Sequence, residues 1–481
     1  IFPETQSIAG QSTITFSANE KLDTLRFQLI DQYRVTKVLM DGKEVAFSHQ
    51  NDLLDILPID CTCNQVQIFY EGPTPIAQNP PWTGGFTWEK DQMGRHWMGL
   101  SCQGEGAKLF MPAFDHPSSE PQQGVELLFT VPKPYFVASN GRLIQTQDQG
   151  QKVRYHWETN YPINNYNINF TLGVFEKAET QFQSISGAVV PMAVWVLQDN
   201  KSKAKELLEV LRVSAQTHEK YFGAYPFPED KIAVVETPYL GMEHQTINAY
   251  GNNFQFVSMG KVKYDWLLHH ELGHEWFGNK VSVGDWADMW IHEGFTAYSE
   301  NLYLNYHFGE KAASEYVIGT KRSIQNDTPL IGTYNKNNRG SNDMYYKGAN
   351  ILHTLRQLIA DDQKWRAILR GLNKDFYHQT VTSNQVERYI SEKSGIHLTQ
   401  FWEQYLRTTM IPNLQFSIQE NQLRYRYTDI IKDFDMPVQV KINGVLNWIQ
   451  PTSTWKTLEN NGKIKTLDVQ QDFLINSSLI E

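Results

Sequence analysis

At 481 residues the chain is too long for one hydrophobic core, and its length suggests about three domains. Aromatic residues make up 13% and charged residues 20%, the composition of a folded globular protein and not of a disordered one. A formal charge of −10 argues against nucleic acid or an anionic membrane surface as partner. No apolar run approaches the roughly eighteen residues that a membrane-spanning helix needs.

The first residue is Ile1 and not Met, as after removal of a leader or a longer N-terminus, and a cleaved signal peptide would fit. The sequence does not state the compartment, with a periplasmic or secreted protein slightly favoured over a cytoplasmic one. Cys61, Cys63 and Cys102 match neither a disulfide framework nor a zinc-knuckle spacing, so they read as ordinary buried or half-buried thiols. Residues 1 to about 170 read as β structure. Leu25, Phe27 and Leu29 alternate, and Val38 and Met40 lead into Asp41-Gly42, a hairpin-turn signal. Gly72-Pro73-Thr74-Pro75 and Asn79-Pro80-Pro81 punctuate further short strands.

The character changes near residue 199. Asp199 to Gly223 carries Leu207, Leu208, Leu211 and Phe222 at helical spacing and ends on a glycine. Helical patterns then dominate to about residue 408, including Gly348 to Leu372 and a segment opening at Ser383. From Asn413 the period returns to two, in Leu414, Phe416 and Ile418, in Leu423, Tyr425 and Tyr427, and in Val438, Val440 and Ile442. Asn443-Gly444 and Asn461-Gly462 mark turns there. The chain therefore reads as a multidomain α+β protein. Residues 1–175 form an N-terminal β domain, residues 176–412 a mostly helical domain and residues 413–481 a small C-terminal β domain.

Chemistry concentrates in the helical part. His270-Glu271-Leu272-Gly273-His274 is followed after eighteen residues by Glu293. Three protein ligands with one position left open is the coordination of a catalytic zinc. No helix breaker interrupts residues 263–277, and Gly278-Asn279 supplies a stop, so the two histidines should share one helix, about 40° apart around its axis. Glu271 is placed to reach a water on the metal but not to ligate it. His269 is out of register with His274 and reads as a neighbour. A second helix over residues 288–308 should supply Glu293, with Gly294 where two helices approach closely. Glu300 shares the face of Glu293; it reads either as a hydrogen-bond acceptor for a ligand histidine or as an ordinary solvated glutamate.

Upstream lies Tyr239-Leu240-Gly241-Met242-Glu243-His244-Gln245, with Glu243 27 residues before His270. Together these strings resemble the zinc aminopeptidases of the aminopeptidase N and leukotriene hydrolase family, the gluzincin aminopeptidases, which carry G-x-M-E-N followed by H-E-x-x-H-x18-E. Ser101-Cys102-Gln103-Gly104, Phe110-Met111-Pro112-Ala113-Phe114-Asp115-His116-Pro117 and Tyr345-Tyr346-Lys347-Gly348-Ala349 are similar to further strings of that family, so the likeness covers roughly residues 95–410. It implies a thermolysin-like catalytic domain followed by a C-terminal β-sandwich, in a short form without the helical C-terminal domain of larger relatives. Two positions depart from the family pattern, Leu240 where glycine is usual and His244 where asparagine is usual; His244 either performs the asparagine's structural or substrate-supporting role or alters the edge of the binding site.

What the resemblance implies is an enzyme that removes single N-terminal residues from peptides with a free N-terminus, using one zinc per chain. A zinc held by His270, His274 and Glu293 would acidify its water and polarise the scissile carbonyl. Glu271 would act as general base and acid. By resemblance Tyr345 supplies the oxyanion donor; Tyr346 is its rival, and the Y-x-K-G spacing favours Tyr345. Glu243 would pair with the α-ammonium, helped by Gln103, in a site that includes Gly241 and Met242. Tyr239 either lines the pocket or belongs to the core. The alternatives are a thermolysin-like endopeptidase, an epoxide hydrolase as in one branch of the family, or an inactive zinc-binding module.

Overall fold

The computed structural model describes residues 1–17, 22–57, 64–259, 262–459 and 462–480. Cys61, Cys63 and Asn461 lie outside the described residues. Cys102 is buried and free, and burial pushes its thiol well above the usual range. The chain divides into two compact units, one of residues 1–216 and 224–275, the other of residues 217–223 and 276–481. Among the described residues no helix is long and apolar enough to cross a membrane.

The first unit is built mainly of antiparallel sheets. Ser7–Thr15, Gln65–Pro73, Arg34–Met40 and Lys43–Glu44 form one of them. Asp41 and Gly42 lie between its last two strands with φ of 45° and 79°, the left-handed pair of a tight hairpin turn. Leu25 and Phe27 on the strand Leu25–Gln28 are buried, as their alternation requires. Pro73 sits at the end of its strand, opposite Ser7, so the chain breaks after it and not before.

Strands continue well past residue 175. A five-stranded sheet runs in the order Phe175–Gln183, Val189–Leu197, Ile232–Glu236, Asn248–Tyr250 and Gly241–Met242. Its middle pairings are parallel and its two ends antiparallel. Residues 232–264 carry strands and not the helix expected; Ile232–Glu236 and Asn248–Tyr250 are short and buried on both faces, which removes the alternation that marks a strand.

Helix α1 (Ala204–Phe222), whose residues up to 216 belong to this unit, follows a 3-10 turn over Gln198–Lys203 and ends before Gly223 at φ 99°. Helix α2 (Trp266–Gly273) is shorter than expected: Lys263 and Tyr264 belong to a strand, and His274 is the C-cap. In the second unit Trp276 donates its indole N–H to the Gly223 carbonyl at 2.9 Å and Phe277 bridges to Val281, contacts that override the helical propensity of those residues.

The rest of the second unit contains α3 (Trp290–Phe308), α4 (Glu310–Thr320), α5 (Tyr346–Ile359), α6 (Asp362–Asp375), α7 (Ser383–Ser394) and α8 (Thr399–Arg407). The stretch from Gly348 to Leu372 is two helices and not one. Ala360 turns left-handed at φ 50°, and Asp361 caps α6 by accepting the N–H groups of Gln363 and Lys364 at 2.9 and 3.0 Å. A Thr382/Gln385 capping box opens α7. Beyond α8 the period-two segments form two sheets, with Leu414, Leu423, Tyr427, Val438, Val440 and Ile442 buried.

Helices α3 and α5 meet glycine to glycine. A Cβ on Gly348 would lie 2.8 Å from the Gly294 Cα, and one on Gly294 would lie 3.3 Å from the Gly348 Cα. Because the obstacle is backbone, Gly348→Ala is expected to lower unfolding free energy by about 1–3 kcal/mol. Chemical denaturation reads this directly, and an unchanged midpoint would show that the two helices can part at no cost.

Candidate active site

The first unit carries Glu243, His270, Glu271 and His274. Helix α2 is anchored by Asp265, whose buried carboxylate caps Leu268 N–H at 3.1 Å and accepts from Tyr250 Oη at 2.7 Å and Asn252 Nδ2 at 2.9 Å. One turn on, the His270 and His274 rings lie 5.0 Å apart and are steeply inclined, both buried. Two imidazoles so placed are a donor pair for a borderline-soft metal such as zinc. His269 packs against the Tyr264 ring at 6.0 Å, as expected of a neighbour.

The strand Gly241–Met242 lies against α2 and explains its glycine. A Cβ at position 241 would stand 2.7 Å from Glu271 Oε1 and 2.8 Å from Leu267 Cδ1. Glu243 follows directly, and the ligating atoms of Glu243, Glu271 and His274 all lie within 4.8 Å of one another, every one of the three residues buried. Two buried carboxylates this close offer a set of oxygen acceptors that suits a cationic group. Glu243 Oε1 accepts from Gln103 Nε2 at 2.8 Å and from Tyr166 Oη at 3.3 Å. Gln103, expected to help hold the first substrate residue, donates its amide to the Glu243 carboxylate. Met242 is buried.

Around this core several ambiguities close. Tyr239 is core: its hydroxyl donates to the Leu100 carbonyl at 2.7 Å and its ring fills the space over Gly99. At the altered edge, Leu240 accepts Gly251 N–H at 2.7 Å through its carbonyl, a main-chain contact that does not depend on its side chain. His244 is fully buried, and burial pushes its imidazole down to about 3, so it is neutral; Nε2 accepts from Asn169 Nδ2 at 3.0 Å. Glu275, next to His274, accepts Thr246 N–H at 2.7 Å and thereby ties the end of α2 to the segment after Glu243. Neither Tyr166 nor Glu275 stood out in the sequence. Only their placement beside Glu243 and His274 gives them meaning.

The second unit carries Glu293 and Tyr345. Glu293 lies in the first turn of α3, which follows a 3-10 turn capped by Asp285, and it is buried. Tyr345 Oη donates to Glu293 Oε1 at 3.1 Å, whereas Tyr346 is 38% exposed. His292 is not available to a metal through Nε2, which accepts Val283 N–H at 3.0 Å. Glu300 is not a solvated glutamate: it is buried and accepts a hydrogen bond from the Tyr316 hydroxyl. Lys347 of the Tyr-x-Lys-Gly string is buried, donates to the Thr408 carbonyl at 3.1 Å and is pushed down to about 8 by burial.

The Peptidase family M1 domain matches residues 206–405. A probable aminopeptidase 1 of Sulfurisphaera tokodaii is 23% identical over 438 residues, covering 85% of this chain and 53% of that protein. A leucyl aminopeptidase of Saccharolobus solfataricus is also 23% identical, over 77% of this chain and 47% of its own length. The chain thus spans about half the length of these curated relatives. Among solved structures, an M1 zinc metallopeptidase from Deinococcus radiodurans superposes with a TM-score of 0.71 at 20% identity, covering 86% of this chain and 92% of that one. Legionella pneumophila aminopeptidase A, solved with aspartic acid, gives a TM-score of 0.79 at 15% identity over 98% of this chain and 57% of that one. These likenesses show the fold, mixed α+β. The match over residues 206–405 and the likeness to these aminopeptidases support the gluzincin aminopeptidase family, whose strings those around Glu243 and His270 resemble.

Proposed function

We propose that the protein is a zinc-dependent aminopeptidase that removes single residues from peptides with a free N-terminus. His270, His274 and Glu293 would hold one zinc per chain. The observation that carries this reading is the buried cluster of Glu243, Glu271 and His274. It sets an amine-seeking carboxylate beside a general base and a metal ligand, so distance from the free terminus selects the bond to be cut. An endopeptidase has no use for Glu243 in that place.

Zinc, when bound, supplies a Lewis acid and an acidified water. The Glu271 carboxylate would take up a proton from water and pass it to the leaving amine. The Tyr345 hydroxyl donates to the oxygen on which negative charge develops. Glu243 accepts the substrate α-ammonium in a charge-assisted hydrogen bond, in the pocket bounded by Gly241, Met242 and Gln103. We further propose that the chain is organised as an N-terminal β domain over residues 1–175, the catalytic domain over residues 176–412 and a C-terminal β-sandwich over residues 413–481, which the matched span of residues 206–405 supports.

Aminoacyl p-nitroanilides, free and N-acetylated, test the reading. Free substrates should turn over, acetylated ones should not, and chelation should abolish turnover until zinc is returned. Cleavage of acetylated peptides at internal bonds would point instead to an endopeptidase. Glu243→Ala should raise KM for free substrates by about 10- to 100-fold, the worth of a charge-assisted hydrogen bond. Equal handling of free and acetylated substrates by wild type and Glu243→Ala alike would sink the anchor assignment.

A further inference from the structure

Residues 164–169, Asn-Asn-Tyr-Asn-Ile-Asn, belong to none of the strings used above, yet they hold two successive residues of the amine-anchor segment. The 3-10 turn Asn165–Asn167 is capped by Asn164, which accepts Tyr166 N–H at 3.1 Å. Tyr166 is buried and its hydroxyl donates to Glu243 Oε1 at 3.3 Å. Three residues later, Asn169 Nδ2 donates to His244 Nε2 at 3.0 Å and to the Leu100 carbonyl at 2.7 Å. Asn169 is itself fixed through its main chain: its N–H donates to Asn140 Oδ1 and its carbonyl accepts from Ser139 Oγ, each at 2.6 Å. The turn is therefore rigid where it touches Glu243 and His244.

This arrangement gives His244 a physical reason. Its neutral ring is long enough to accept from Asn169, and that bond secures the residue next to Glu243. The carboxylate is thus restrained from two directions. Gln103 and Tyr166 donate to the same oxygen, and the backbone beyond it is tied to a fixed asparagine.

We propose that Tyr166 is a positioning residue for amine recognition, which with Gln103 holds the Glu243 carboxylate in one orientation while Asn169 secures His244 behind it. The proposal rests on the aminopeptidase reading. A merely structural role would make Tyr166 a buried tyrosine whose hydroxyl needed an acceptor and found Glu243.

Tyr166→Phe separates the two, since it removes one hydroxyl and keeps the ring. The α-ammonium is bound alike in ground and transition states, so misplacing its partner acts on KM and not on kcat. On the best wild-type substrate from a panel of aminoacyl p-nitroanilides, KM should rise about tenfold, the size of one hydrogen bond to a charged group. The kcat should stay within about twofold, and the melting midpoint should move little. In a Glu243→Ala background, Tyr166→Phe should change KM by less than about twofold, because its acceptor is gone. Tyr166→Met serves as a second apolar replacement if the Phe variant does not fold. An unchanged KM in a folded variant, or an equal rise in the Glu243→Ala background, overturns the proposal and leaves the aminopeptidase reading standing. If wild type cleaves no free aminoacyl anilide, that reading falls and this inference falls with it.

Discussion

Glu271→Gln is expected to retain its metal and lose about 10²- to 10⁴-fold in kcat, the usual worth of a general acid–base group. The carboxylate sits in the space left by the missing side chain of Gly241, with Oε1 2.7 Å from where a Cβ would be. An amide fits the same space, so the substitution removes proton transfer and little else. Metal content measured on the purified variant should match wild type, because Glu271 is the residue between the two imidazoles and not a ligand in this reading. A variant that keeps metal and retains a tenth or more of wild-type kcat would return the role of base to another group. One that loses its metal would mean that Glu271 contributes to holding it.

Tyr345→Phe should be the next most damaging change, lowering kcat by about 10²- to 10³-fold with KM nearly unchanged, as expected when an interaction made only in the transition state is lost. The control is its neighbour. Tyr346 is 38% exposed, and Tyr346→Phe should leave kcat within about twofold. Adjacent residues at the start of a helix point about 100° apart, so only one of them can face Glu293, and the 3.1 Å bond from Tyr345 Oη identifies it. Reversed results for the two variants would mean that the hydroxyl of Tyr345 serves Glu293 alone and that the oxyanion donor lies elsewhere.

Much of the site was legible because its spacing is local. His270 and His274 are one turn apart on any helix, and Glu293 needed only a second helix of the expected register. The carboxylate of Glu243 was legible through its string, but its surroundings were not. Tyr166 lies 77 residues from Glu243, and nothing in Asn-Tyr-Asn announces a hydrogen bond across that separation. The same holds for Gln103, whose string suggested contact with substrate and whose amide is found on Glu243, 140 residues away.

Elements failed for comparable reasons. The end of α2 at Gly273 depends on what Trp276 and Phe277 do in tertiary contacts, which local propensity does not encode. The break between α5 and α6 falls on Ala360, a strong helix former held left-handed by its surroundings, so no composition signal marked it. The strands Ile232–Glu236 and Asn248–Tyr250 lack alternation because both of their faces are covered. By contrast, the C-terminal strands alternate cleanly and were legible to within a few residues.

The contact of Gly294 with Gly348 has a consequence for how this protein can change. Because main chain meets main chain there, the offset between α3 and α5 does not depend on the shape of any side chain at that crossing. Glu293 and Tyr345 stand one residue before Gly294 and three before Gly348, close to that fixed point. Substitutions elsewhere along the two helices can alter stability or the outer surface while the spacing of carboxylate and hydroxyl stays constant. Chemistry and sequence drift are thereby uncoupled, so specificity is free to vary through the residues around the amine while this pair is held still.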